Sequence, residues 1–218
     1  MELILAGGST NTLTAGQFCA GIQVPAGSTL TVSGTGELTA TGGGSGTTNY
    51  DGGAGIGGGW KGTGGNVTIK GGTMTAKGGR GGAGIGGGGT ETAAGSEKGM
   101  GSNVTIEGGM VTAKGGDSGA GIGGGLKGDG GNVTIKGGTV TATGGRNSAG
   151  IGDGNNAWHG GSVTITGGMV EATGGNYGAG IGGGCWCAGG NVTISGGTVI
   201  ARAGLDAKAI GSGFSASG

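Results

Sequence analysis

The chain has 218 residues, 72 of them glycine, with 11 basic and 11 acidic side chains and a formal net charge of zero. One third glycine without a Gly-X-Y period, and with the single proline Pro25, excludes a collagen triple helix, while isoleucine and valine recurring at fixed places exclude a disordered chain. Balanced charge leaves no electrostatic footprint for nucleic acid or an anionic membrane, and no stretch approaches the roughly 18 apolar residues of a membrane span.

In chain order, MELILAGG is too short and lacks the basic flank of a signal peptide; its Leu3 and Leu5 read as a strand that starts with the chain, as in a domain excised from a longer protein. Leu13 and Ile22 complete a first coil over residues 1–27, and Leu30, Val32, Leu38, Ala40 and Ile56 a second over 28–65 with a longer loop. From there an internal period takes over. Val67, Val104, Val133, Val163 and Val192 are 37, 29, 30 and 29 residues apart, and an isoleucine follows each valine at a constant 18 residues. All length variation falls between the isoleucine and the next valine. The period divides the rest into coils over 66–102, 103–131, 132–161 and 162–190, then a terminal coil and tail over 191–218.

Each repeat holds three short apolar runs, such as NVTIK (132–136), TVTAT (139–143) and SAGIG (148–152). The first two alternate apolar with polar residues, which is strand periodicity, and glycine pairs such as Gly137-Gly138 mark corners. Three strands and three corners in 29–30 residues describe one coil of a parallel β-helix, an all-β solenoid of about seven coils and about 30 Å height. The crossover rule predicts a right-handed one. Its interior should carry an isoleucine ladder, Ile22, Ile56, Ile85, Ile122, Ile151, Ile181 and Ile210, each worth roughly 1.5–3 kcal/mol of burial. Asn66, Asn103, Asn132 and Asn191, with Ser162 once in their place, should form an amide ladder at a corner. GAGIGGG occurs four times, and with alanine and isoleucine inward its flanking glycines face outward. Such a bare strand serves a tight cross-section, close approach of another backbone, or a flat docking face.

Candidate chemistry lies in the isoleucine-to-valine loops. Trp60, Trp158 and Trp186 all fall there, so that tryptophans aligned along one edge would make a sugar-stacking platform, with His159 and Asp153 beside them. The alternative is that they fold back and cap the loops; Leu126 and Phe214 share the offset of Trp60, which favours packing there. His159 with Cys185 and Cys187 on the next coil raises a soft-metal site, against which stand the one-residue cysteine spacing and the missing second pair. A strained Cys185–Cys187 disulfide or free thiols fit better, and Cys19 is five coils away. Whether calcium decorates the Asp-bearing loops is open. Catalysis has little support: outward positions are mostly threonine, glycine and serine, and Lys70, Glu107 and Lys136 form a charge ladder without an acid cluster. An ice-binding threonine array is broken by Met110, Met169, Glu171 and Ile200 in the threonine columns.

The unit GGNVTIKGGTVTATGG followed by AGIGGG resembles the glycine-rich β-helix repeats of large secreted or wall-attached bacterial surface proteins, particularly of Gram-positive gut bacteria. The resemblance runs from about Ser28 to Gly213, and NTLTAGQFCAGIQVPAGSTLTV looks like the segment that introduces such repeats. It implies an extracellular or cell-surface, adhesin-like or carbohydrate-binding module and brings no catalytic motif. The expectation is a non-enzymatic adhesion or glycan-binding module without a cofactor, whose partner is a polysaccharide or cell-surface glycan. The competing expectation is a spacer that self-assembles through its end coils or its glycine-rich face; a polysaccharide-active enzyme and an ice-binding protein stand behind it.

Overall fold

A computed structural model describes residues 1–44, 51–90 and 99–214. Tyr50 and the end of the tail, 215–218, lie outside the described residues. Among the described residues twenty-one strands form three parallel sheets of seven, each sheet taking one strand from every coil. In the fourth coil these are Asn103–Ile106, Met110–Lys114 and Ile122–Gly123. The chain is thus a parallel β-helix of seven coils, as the period requires.

Register is held by repetition. Val104 pairs with Val67 and Val133, and Ile122 with Ile85 and Ile151, so every coil lays like on like. A slip of one residue would turn each apolar set outward, so the interior columns fix the stacking. Ile56, Ile85, Ile122, Ile151 and Ile181 are completely buried, whereas Ile210 in the last coil is 43% exposed. Ile122→Ala should therefore lose about 2–5 kcal/mol and Ile210→Ala much less, a difference that urea midpoints of the two variants will show. At the first corner Asn132 donates to Asn103 (2.9 Å), Asn103 to Asn66 (2.9 Å) and Asn66 to Thr29 (3.3 Å), while the Ser162 hydroxyl donates to Asn132 (2.7 Å). Asn191 is next in that column.

The third sheet corrects one expectation. Its glycines do face away from the core, but Gly119–Gly125 are buried, because the following loop folds back across them. A Cβ on Gly124 would stand 1.9 Å from the Gly128 carbonyl oxygen of that loop, and one on Gly121 2.6 Å from the Gly150 carbonyl of the next coil. Close backbone approach is what these glycines serve, and Gly119–Gly125 present no bare face.

The two ends differ. The first coil has Asn11 in the interior column of Leu38, donating to the Glu37 carbonyl (3.0 Å) and the Ser9 hydroxyl (3.1 Å). The last coil leaves Ile194 and Ile210 exposed on the end of the stack, with Leu205 exposed at its corner.

Candidate binding groove

Strands of the second sheet end in a column that reads Thr41, Lys77, Lys114, Thr143 from coil to coil. Two residues follow that close backbone approach, within the coil or from its neighbour, forbids to be anything but glycine. A Cβ on Gly115 would meet the Gly119 carbonyl oxygen at 2.0 Å, and one on Gly116 the Gly79 oxygen at 1.9 Å. Beyond them the corner column reads Arg80, Asp117, Arg146, each five residues before its isoleucine. Side chains on both sides of a strip without any leave a groove of about 780 Å³ across coils two to five, flanked further on by Ser118, Asn147 and Asn155.

Its charge is one-sided. Among the described residues four cations line it, Lys77, Arg80, Lys114 and Arg146, against one carboxylate, Asp117, which Arg80 Nε contacts at 3.0 Å. Lys77 and Lys114 are direct register partners, about 4.8 Å apart at the backbone, and like charges so placed repel. Ion pairs elsewhere on the solenoid include Lys136 with Glu107 at 3.4 Å and Arg202, which reaches diagonally to Glu171.

The tryptophans do not form one platform. Trp60 packs on Phe18 with ring centroids 5.2 Å apart and carries Lys61 Nζ 4.6 Å from its ring centroid. Trp186 packs on Phe214 at 5.7 Å, and Phe214 on Tyr177 at 5.1 Å. Trp186 has φ 65° and shares the left-handed column of Lys61, Lys127 and Asn156, one position past the column of Trp60. Four coils, roughly 19 Å, separate these two aromatic groups. Trp158 is the most exposed of the three, at 64%.

Asp153 is not at the surface. It is fully buried, in the position that Gly58, Gly87, Gly124 and Gly183 hold in other coils. One extra residue between Ile151 and Val163 opens room for it. Its Oδ1 accepts from the N–H groups of Gly130 (2.8 Å) and Gly161 (3.1 Å). In the coils below, Gly64 and Gly101 give the equivalent N–H to a backbone carbonyl of the next coil, of Met100 and Asp129. The carboxylate thus stands in for a main-chain acceptor, which makes it a structural group and not a ligand contact. Its Oδ2 is buried without a hydrogen-bond partner among the described residues. Burial, and then the nearby Asp129 charge, push its pKa up to about 7 against the pull of the two N–H donors.

Asp129 Oδ1 accepts from the N–H groups of Trp158 (3.0 Å) and His159 (2.8 Å), fixing the same loop. His159 is exposed and lines a shallow depression of about 430 Å³ with Asp129, Asn132 and Asn191. The three cysteines are free thiols, Cys19 exposed and the other two buried. Burial, and then the Asp153 charge, push the Cys187 thiol up to about 12, and its Sγ lies 3.3 Å from the Ala157 carbonyl; burial also raises Cys185. Both are un-ionised at neutral pH, unlike a metal-binding thiolate. Among the described residues no three His, Cys, Asp or Glu side chains group as metal ligands.

A family model described as a beta helix repeat matches residues 67–89, 104–126, 133–155, 163–185 and 192–214, together more than half of the chain. Each match starts at the inward valine and ends four residues past the isoleucine, so on coils three to five it includes the strand ends and corners that build the groove. No curated protein and no solved structure matches the chain.

Proposed function

The chain belongs to the beta helix repeat family, and from that premise we propose that it is a non-enzymatic module of an extracellular surface, used for adhesion by binding glycans in the corner groove. The observation that carries the reading is the groove itself: an open channel of about 780 Å³, with charged, hydroxyl and amide side chains held on a rigid lattice. Long open channels suit polymers, and hydroxyls and amides pair with sugar hydroxyls. A binding reading is favoured over a hydrolytic one because, among the described residues, Asp117 is the one carboxylate lining it and is tied to Arg80.

Affinity electrophoresis of the protein through gels containing neutral and acidic polysaccharides tests this. Retardation by a polysaccharide, without release of shortened chains, is the expected result; release of products or free migration in every gel overturns it. Groove binding also predicts that Trp158→Ala with Trp186→Ala leaves retardation unchanged, whereas an aromatic edge at the loops predicts its loss. A second reading, the self-assembling spacer, draws on the exposed Ile194 and Ile210 of the last coil. It predicts a mass in light scattering that grows with concentration and falls back in Ile194→Lys.

A further inference from the structure

Resting on the glycan-binding reading, we propose that the groove is a site for an acidic polysaccharide, whose carboxylate or sulfate groups pair with Lys77, Lys114 and Arg146 while the chain runs along the stack axis. Lys77 and Lys114 lie side by side in register, and neither they nor Arg146 make an ion pair among the described residues. An anion lodged between the lysines removes their repulsion. The pairing of Lys136 with Glu107 at another corner shows how little sequence change would have been needed to compensate them internally.

Direction follows from placement. The three cations stand on coils three, four and five, one step of about 4.8 Å each. A sugar polymer lying along the axis therefore presents successive residues to successive cations, and one lying across it meets a single coil. Glycines form the floor, and their N–H groups are already engaged: Gly78 donates to the Lys114 carbonyl, Gly115 to Thr143 and Gly144 to Thr173, each at 2.9 Å. Affinity must therefore come from side chains. Asp117, held by Arg80 at 3.0 Å, leaves the other three cations to the ligand.

The lining distinguishes this polyanion from a nucleic acid. Among the described residues no aromatic ring lines the groove to stack on bases, while Thr41, Ser118, Asn147 and Asn155 offer hydroxyl and amide groups suited to sugars.

The test titrates the full chain with polygalacturonate, dextran sulfate, neutral dextran and a single-stranded oligonucleotide. The double variant Lys77→Gln, Lys114→Gln is compared with Lys70→Gln, Lys136→Gln, which loses the same charge at a different corner. Binding of polygalacturonate or dextran sulfate is expected, weakened by added salt, and which of the two binds tells carboxylate from sulfate recognition. The groove variant should lose roughly tenfold or more while the control variant keeps wild-type affinity. Equal losses in both variants overturn the groove assignment, and a preference for the oligonucleotide overturns the polysaccharide. Binding of dextran without the acidic polymers overturns the acidic class and leaves the glycan reading standing. Silence with all three polysaccharides overturns both.

Discussion

Gly123→Ala is expected to abolish folding of the stack at ordinary temperature, or to lower its stability by about 4 kcal/mol or more, the range reserved for changes the structure cannot absorb. Gly123 has φ +137°, a conformation that L side chains rarely adopt, and its Cβ would lie 1.9 Å from the Gly152 carbonyl oxygen and 3.1 Å from that of Gly130. Neither neighbour has room to yield. The Gly152 carbonyl accepts from the Gly124 N–H at 3.0 Å, so pushing it aside breaks the ladder between coils four and five. Gly16 is the contrast, with nothing within 4 Å of its Cβ position and an ordinary φ. Gly16→Ala should be neutral or stabilise by up to about 1 kcal/mol, since alanine restricts the unfolded chain. Urea unfolding of both variants decides the matter: a wild-type midpoint for Gly123→Ala would mean that the glycines are not there for backbone approach.

That contrast marks where the sequence is readable. Strand identity and coil number follow from side chains that repeat: Val104 on Val67 and Ile122 on Ile85 leave no second register to choose. The glycine strand carries no such information. Alternation places Gly121 and Gly123 outward, but no pattern of glycines tells solvent from a covering loop, and the loop proved to be the cover. The tryptophans mislead by one residue, since Trp186 takes the left-handed position and Trp60 the one before it. The groove was legible in part. Lys77 and Lys114 stand eight residues before Ile85 and Ile122, and Arg80 and Arg146 five before Ile85 and Ile151, so both columns can be counted out. What counting does not give is that the strand end and the corner face each other across a strip of glycine, because that depends on how sharply the chain turns.

Asp153 should make stability fall as pH rises from about 4 to about 7. Its folded pKa is about 7 against 3.8 for a free aspartate, so the folded chain keeps a proton that the unfolded chain releases. Folding then takes up a proton throughout that window, and the stability lost across it is about 4 kcal/mol at most, with no further loss from this group above about pH 7. The groups facing it are the Asp129 carboxylate, whose charge adds to the effect of burial, and the Cys187 thiol, which stays neutral below about pH 12. Asp153→Asn tests the assignment, because the amide keeps an acceptor oxygen for Gly130 and Gly161 and is uncharged at every pH. Relative to wild type, it should be level near pH 4 and more stable at pH 8, with the difference opening between those values in urea titrations. Parallel pH profiles for the two proteins would place the ionisation elsewhere. Asp153→Gly, which restores the glycine of the neighbouring coils, should be less stable than wild type near pH 4, with the deficit shrinking as pH rises because it too lacks the ionising group. It removes the acceptor from the Gly130 and Gly161 N–H groups while keeping the extra loop residue that made room for the side chain. The side-chain acceptor and the longer loop are therefore one adaptation, and neither is removable alone.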